Sequence, residues 1–259
     1  MALDTIQYLL GAGSGGLVGF TLGLVGGGGS ILAVPLMVYL VGVPQPHVAI
    51  GTSALAVAAN AAANLVPHAR AGTIKWRCAT MFAAAGVAGA YAGSTLGKAM
   101  DGQRLLFLFA LLMLVVGALM IRNRKDPGNP DVQCRRENAP KVMGYGLGTG
   151  LFSGFFGIGG GFLIVPALMA STAMPMRNAV GSSLVAVTAF GLTAAVNYAL
   201  SGLVDWALAG FFILGGVAGG IAGTLLSQRL SAMKGLLNTL FAGLIFVVAI
   251  YMLWQSAIR

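Results

Sequence analysis

The sequence predicts an all-α integral membrane protein built from two homologous repeats of about four membrane segments each. Three observations indicate this fold: the composition, the lengths of the apolar runs, and an internal duplication. Of the 259 residues, 58% are hydrophobic and 8% are charged, and the mean hydropathy is +0.89. Soluble domains carry about 25% charged residues, so a water-soluble fold of this size could not cover so much apolar surface.

Apolar runs long enough to cross a bilayer divide the chain. A helix needs about 20 apolar residues to span the hydrocarbon core. Runs of suitable length cover approximately 6–25, 48–68, 78–97, 104–121, 180–199, 206–227 and 236–254. The run at 142–157 is slightly short, and those at 30–43 and 161–173 are too short to span alone. We expect a first membrane repeat at 1–121, a cytoplasmic linker at 122–141 and a second membrane repeat at 142–259.

The two halves repeat the same motifs in the same order. Residues 19–35 match 150–166 at an offset of 131, with eight of 17 positions identical. Residues 51–76 then match 181–206 at an offset of 130, and residues 86–96 match 216–226 with seven of 11 identical. The register pairs Pro35 with Pro166 and Trp76 with Trp206. Internal repeats of this kind are typical of secondary transporters.

A glycine cluster precedes each short apolar run, at 26–29 and at 159–161. Each glycine in a helix interior costs about 1 kcal/mol relative to alanine, so these clusters predict discontinuous or re-entrant helices. Irregular backbone at membrane depth is tolerated where protein covers it or where it lines a wet cavity. The short helix that follows would present free N–H groups to an anion. Close packing of small residues between helices is the alternative interpretation.

The motifs carry a family resemblance. A glycine cluster, an apolar run ending in proline, and then GTS at 51–53 or GSS at 181–183 occur once in each half. This pattern resembles the TauE/SafE sulfite exporter family over the whole chain outside the linker. The resemblance implies a secondary transporter that moves a small sulfur anion, sulfite or an organosulfonate, with export as the expected direction. A passive small-anion channel, or a transporter of another small carboxylate or oxyanion, is the alternative.

The candidate substrate-binding residues are the two glycine clusters, the hydroxyls downstream of them, and amides within apolar runs. They are Gly27, Gly28, Gly29, Ser30, Thr52, Ser53, Asn60, Gly159, Gly160, Gly161, Ser182, Ser183 and Asn197. The hydroxyls could instead cap helices, and the amides could bond neighbouring helices. We expect no cofactor and no enzymatic activity, because the two histidines and six acidic residues form no evident catalytic cluster.

Ionisable residues suggest how an anion could be attracted and coupled. His47 and Arg177 occupy equivalent positions, where they could attract the anion or simply extend toward the bilayer surface. No carboxylate lies within a predicted span, although buried carboxylates often mark proton relays. If protons are the coupling ion, the candidate proton carriers are His47, His68, Asp205 and the anion itself. The anion is a candidate because sulfite titrates near neutral pH.

Charge distribution bears on partners and orientation. The formal charge is +9, but the basic residues lie in short loops between apolar runs, which indicates a lipid bilayer rather than nucleic acid as the partner. If the two repeats were parallel, ten Lys and Arg residues would lie on one side of the membrane and five on the other. If the repeats were inverted, eleven would lie on the linker side and three on the other side, with Arg177 unassigned. The stronger charge bias favours inverted repeats. Both arrangements put the linker in the cytoplasm, as expected for a multi-pass protein of the cytoplasmic (inner) membrane. A homodimer is compatible with the sequence.

Cys78 and Cys134 form no CxxC pair and have no histidine at metal-binding spacing. We therefore expect neither a disulfide nor a zinc site. The N-terminal residues lack a basic region and a cleavage site, so we interpret them as the start of the first span.

Overall fold

A computed structural model describes residues 4–122, 134, 138–158, 161–229, 243 and 245–255. Its regular structure is helical throughout this part of the chain. The first half contains α1 (Thr5–Val25), a 3-10 stretch (Gly26–Leu32), the turn α2 (Ala33–Pro35), a π-helical turn (Leu36–Leu40), α3 (Pro46–Arg70), α4 (Trp76–Ala99) and α5 (Gly102–Arg122). The second half contains α6 (Ala139–Phe156), α7 (Gly161–Thr172), α8 (Met176–Ala199), α9 (Trp206–Arg229) and α10 (Ile245–Gln255). The predicted all-α class is confirmed.

Several helices are suited to a bilayer by length and composition. Three are long and apolar enough to cross one: Pro46–Arg70, Met176–Ala199 and Trp206–Leu226. Shorter apolar helices cover Gly29–Leu40, Gly102–Ala118, Gly161–Thr172 and Ile245–Gln255. The runs at 30–43 and 161–173 therefore form helical segments of their own, each shorter than a full span.

Residues 26–40, here called the return segment, double back along α1. A Cβ on Gly29 would lie 2.6 Å from the carbonyl carbon of Thr21, so this glycine packs directly on the α1 backbone. Farther along, the side-chain amide of Gln7 donates a hydrogen bond to the Val41 carbonyl at 3.0 Å. The chain therefore turns after α1 and comes back to the end of the molecule where α1 began.

Two parallel helix pairs are packed through glycine, and each pair joins one half of the chain to the other. In the α1–α9 pair and the α4–α6 pair, a Cβ on the facing glycines would overlap backbone atoms of the opposite helix. The contacts are Gly15 with Phe212, Gly19 with Gly216, Gly23 with Gly220, Gly150 with Gly86, and Gly154 with Ala90. Glycine permits this backbone approach, which is how helices associate closely in membranes.

Helices α3 and α8 cross at the centre of the fold and run antiparallel. Near the start of α3, Gly51 packs on Tyr198 at the end of α8 and on the Leu203 carbonyl. At the other end of the crossing, Gly181 near the start of α8 packs on Thr73, which follows α3. The crossing therefore joins the two halves along their length, and each helix begins where the other ends.

The helix directions define two ends of the molecule. The linker end contains the α3–α4 turn and the start of α8, where Asn178 donates from its side-chain amide to the Thr73 carbonyl at 2.9 Å. The opposite end contains the starts of α1 and α3, the last turn of α4 and the α8–α9 turn. There Gly102 packs on Pro46.

A disulfide joins Cys78 to Cys134, with the Cα atoms 5.4 Å apart and a sequence separation of 56. The expectation that these cysteines form no disulfide is wrong. Their sequence spacing gave no signal, because the pair meets only after α4 has packed against α6 and brought the linker to the start of α4. The bond fastens the linker to the membrane helices.

We predict that the disulfide holds the chain together after cleavage within the linker. A protease site inserted between Asp126 and Pro127 separates Cys78 from Cys134 in sequence. The cleaved protein, purified in air, is expected to migrate as one band on a non-reducing denaturing gel and as two bands after reduction. The Cys78→Ser variant should give two bands under both conditions. Two bands from the cleaved wild-type protein without reductant would show that the cysteines do not pair.

Candidate functional site

The segments that follow the two glycine clusters meet inside the fold. The return segment contacts α7 and α8. Gly27 and Gly28 lie in its 3-10 stretch, Gly29 packs on α1, and Ser30 is fully buried. The α-helix thus gives way to a 3-10 helix at the first cluster.

The second cluster lies at the opposite end. Helix α6 ends at Phe156, and Gly157 follows with a φ of 65°, a left-handed conformation suited to glycine. Gly161 is buried at the start of α7. Gly159 and Gly160 lie outside the described residues.

The hydroxyls of the GTS and GSS motifs bond to backbone. The Asp205 N–H donates to the Thr52 hydroxyl, and the Lys75 N–H donates to the Ser182 hydroxyl, each at 2.9 Å. These bonds join equivalent positions of the two halves. Each holds the turn that leads into the next helix of the other half.

The serines that follow bond within their own helices. The Ser53 hydroxyl donates to the Ile50 carbonyl at 3.0 Å, and the Ser183 hydroxyl donates to the Val180 carbonyl at 2.7 Å. All four hydroxyls of the two motifs therefore take part in bonds to backbone. Any contact with a substrate would come in addition to these bonds or would displace them.

Asn60 lies near the middle of α3, and its side chain has no hydrogen-bond partner among the described residues. The residue is 0% exposed, and neither its side-chain nitrogen nor its oxygen is bonded. It faces Gly216 of α9, where a Cβ would lie 2.6 Å from the Asn60 Oδ1 atom. Leaving a buried polar group unpaired costs about 1–3 kcal/mol. The unpaired amide of Asn60 therefore lowers the stability of the fold unless a ligand forms hydrogen bonds with it.

The equivalent position in the other half is apolar. At an offset of 130, Asn60 corresponds to Phe190 and Gly216 corresponds to Gly86. The Phe190 ring packs on Gly86 and stacks on Phe82 with ring centroids 6.2 Å apart. One half therefore has an amide where the other half has an aromatic ring.

A second amide extends this polar surface toward the linker end. Asn64, one turn after Asn60, donates from its side chain to the Asn60 carbonyl at 2.9 Å, and its side-chain oxygen accepts from the Thr224 hydroxyl at 3.4 Å. We call Asn60, Asn64, Gly216 and Thr224 the amide pocket, a name for these four packed residues rather than for an open cavity. Gly216 also packs against Gly19, so the pocket lies where α1, α3 and α9 meet.

Asn197 belongs to a different polar cluster, at the opposite end between α4 and α8. Its side-chain nitrogen donates to the Ser94 and Thr95 hydroxyls at 2.6 and 3.0 Å. The Lys98 ammonium donates to the Asn197 side-chain oxygen at 2.8 Å, to the Asn197 carbonyl at 2.9 Å and to the Ser201 hydroxyl at 2.8 Å. We call these five residues the lysine cluster.

The two residues predicted to attract an anion lie at different ends of the molecule. His47 is at the end away from the linker, with its ring centroid 6.4 Å from that of Tyr198. Arg177 is at the linker end near His68, whose Nδ1 atom lies 3.1 Å from the Thr73 hydroxyl. The structure therefore does not bring His47 and Arg177 together, and their role toward an anion stays a prediction.

An open cavity of about 410 Å³ lies at the opposite end, between the chain leading into α3 and the α8–α9 turn. Its lining residues are Val43, Pro44, Gln45, Val48, Gly202, Val204, Asp205 and Trp206. Its lining therefore brackets His47 in sequence and includes the turn that follows α8.

Sequence reasoning missed Lys98, Tyr198 and Thr224. Lys98 reads as an ordinary loop lysine after an apolar run, and only the packing of α4 on α8 brings it to Asn197. The signal available in sequence was an asymmetry between the halves, since Lys98 corresponds to Gln228.

Comparison with known proteins agrees with the helical membrane fold. The family model for "Sulfite exporter TauE/SafE" matches residues 11–252. A "Probable membrane transporter protein" of Xylella fastidiosa (strain 9a5c) is 56% identical over 97% of each chain. One from Haemophilus influenzae is 30% identical over 92% of this chain and 95% of its own. A third, YunE of Bacillus subtilis, is 27% identical over 83% and 87%.

No solved structure matches the chain significantly. The family match nevertheless covers almost all of it, including both glycine clusters, the amide pocket and the lysine cluster. The chain therefore belongs to the TauE/SafE sulfite exporter family of membrane transporters.

Proposed function

We propose that the protein is a secondary transporter that exports a small sulfur oxyanion, sulfite or an organosulfonate, across the cytoplasmic membrane. Two inverted repeats alternate access to a site between them. The observation that carries this proposal is Asn60, whose amide is buried mid-helix without a partner among the described residues. The family membership supplies the transport class and the substrate chemistry.

The pairing of equivalent contacts supports the repeat architecture. The Thr52–Asp205 and Ser182–Lys75 hydrogen bonds relate to each other by the offset of 130, and both are 2.9 Å long. The glycine-packed pairs α1–α9 and α4–α6 are likewise equivalent. The first helix of each half therefore packs against a helix of the other half, so the halves interlock.

The direction of the helices supports inversion. Equivalent helices α3 and α8 run antiparallel. Segments α1 and α6, which begin at different ends, are equivalent too. Inverted repeats provide an alternating-access scheme, because exchanging the conformations of the two halves opens the same central site to the other side.

Charge supports a cytoplasmic linker. The Asn178–Thr73 bond is at the linker end, so Arg177 joins the basic residues of that end. Of the nine Lys and Arg residues that the structure describes, seven then belong to the linker end: 70, 75, 77, 122, 141, 177 and 229. The other two are 98 and 104. Cytoplasmic loops carry this excess of positive charge.

The chemistry of the amide pocket suits an oxyanion. Sulfite and sulfonate oxygens accept hydrogen bonds, and the Asn60 side-chain NH₂ and the Thr224 hydroxyl can donate them. The pocket's described side chains include no carboxylate to repel an anion and no cation to hold it permanently. An anion that enters with a proton of its own would also reduce the cost of desolvation.

Binding by the purified protein tests the substrate assignment. We expect saturable binding of sulfite or sulfoacetate, and weaker binding of sulfate, measured by isothermal titration in detergent with thiosulfate as a further comparison. Unlabelled sulfite should displace ³⁵S-sulfite. Failure of all four anions to bind would contradict the substrate assignment while leaving the membrane fold intact.

A further inference from the structure

Three polar groups around Tyr198 are not explained by the proposed central site. The Tyr198 side chain is 0% exposed, and its hydroxyl has no hydrogen-bond partner among the described residues. The same holds for the Nδ1 atom of His47, whose ring lies beside Tyr198. Two buried polar atoms beside one aromatic contact are therefore available to bond a polar ligand.

Lys98 adds a positive charge, and its hydrogen-bond partners among the described residues carry no opposite charge. Its ammonium lies 5.9 Å from the centroid of the Tyr198 ring. Its three hydrogen-bond acceptors, two on Asn197 and one on Ser201, are all neutral. A cation that is held by neutral oxygens retains its attraction for an anion, and this attraction is strong where the surroundings exclude water.

One of these bonds can give way to a ligand at small cost. Ser201 is exposed, and its hydroxyl also lies 3.4 Å from the Asn197 carbonyl, to which it can donate instead. An anion that replaced this hydroxyl on Lys98 would exchange a neutral acceptor for a charged one. Charge-assisted hydrogen bonds are about twice as strong as neutral ones.

We propose that Lys98, Tyr198 and His47 form a second anion site, at the end opposite the linker, for a small oxyanion such as the transported one. The amide pocket lies near the middle of α3, whereas the second site lies where α3 begins and α8 ends. The cavity of about 410 Å³ lies at the same end, next to His47 in sequence, and is lined by neighbours of the site rather than by its three residues. The second site holds the anion as it leaves or enters the central site, so this inference rests on the proposed transport function.

The equivalent residues of the other half do not form a second copy of this site. Tyr198 corresponds to His68 and His47 corresponds to Arg177 in the other half. There, however, His68 already contacts Thr73. The linker end therefore lacks the unpartnered phenol, and we expect the second site only at the opposite end.

Sulfite binding to four variants of the full chain tests the second site. In an Asn60→Leu background, which removes the central amide, we expect weak residual ³⁵S-sulfite binding. Adding Tyr198→Phe should weaken this residual binding about tenfold, since one hydrogen bond to the anion is lost. Adding Lys98→Met should abolish it. Tyr91→Phe, on an exposed ring of α4, is the matched control and should change nothing.

The outcomes separate the two proposals. The Tyr198 hydroxyl is buried and makes no bond in the described structure, so Tyr198→Phe should leave the melting temperature unchanged or raise it. Residual binding that is insensitive to Tyr198→Phe would overturn the second site and leave the central one standing. Binding that depends on Lys98 and Tyr198 but not on Asn60 would support the second site and contradict the central one. Absence of sulfite binding to the wild-type protein would overturn both.

Discussion

Replacing Gly150 with alanine is expected to force α6 away from α4 and to destabilise the protein. A Cβ at this position would overlap the backbone of Gly86, which cannot rotate away as a side chain could. Overpacking of this kind costs about 1–3 kcal/mol, so we expect the melting temperature to fall by roughly 5–10 °C. Thermal unfolding in detergent, followed by scanning fluorimetry, measures the change.

Gly148→Ala is the matched control, two residues away on the same helix. Apart from its own stretch of helix, no atom of the described residues lies within 4 Å of a Cβ built on Gly148. Alanine is also the better helix former, so the melting temperature should stay the same or rise. Equal losses from both substitutions would show that these glycines matter for helix flexibility rather than for contact between the two halves.

Replacing Asn60 with leucine is expected to move stability and affinity in opposite directions. Leucine keeps the branching and the number of heavy atoms of asparagine and removes two buried, unpaired polar atoms, which should stabilise the fold by about 1–3 kcal/mol. The same change removes a hydrogen-bond donor to the anion. A bond to a charged group contributes about 2 kcal/mol, so sulfite binding should weaken roughly 30-fold. Scanning fluorimetry and isothermal titration on one preparation measure both effects.

Phe190→Leu is the control at the equivalent position of the other half. It removes the stacking with Phe82 and leaves a smaller side chain against Gly86, so the melting temperature should fall. Sulfite affinity should not change, since no polar group is altered. If Asn60→Leu instead lowered stability with no loss of affinity, Asn60 would be a packing residue with an unrecognised partner.

Much of the fold was predictable because membrane burial leaves strong patterns in a sequence. Long apolar runs marked the helices, and the glycine cluster at 26–29 marked the place where α1 gives way to a 3-10 stretch. The glycine stripes were harder to interpret. Gly15 and Gly13 look alike in sequence, yet a Cβ on Gly15 would meet α9 and one on Gly13 would meet nothing. Only the helix partner decides which glycine is in contact.

The candidate site was predictable in part, for the same reason. Asn60 stood out as an amide in an apolar run, but its lack of a partner depends on Gly216, which is distant in sequence. The Cys78–Cys134 bond and the contact of Lys98 with Asn197 also depend on how the halves interlock. Thr52 and Ser182 were chosen as substrate ligands, and the structure shows their bonds to backbone, so their role toward substrate stays a prediction.

Counterflow in proteoliposomes tests the central claim, alternating access to one anion site between two repeats, most directly. Vesicles are loaded with unlabelled sulfite and diluted into a trace of ³⁵S-sulfite outside. A carrier exchanges one anion for another, so the account predicts a transient accumulation of label above equilibrium, reduced in Asn60→Leu and retained in Phe190→Leu. Equilibration of label without an overshoot in the wild-type protein, with flux proportional to the gradient, would indicate a passive channel and contradict the account.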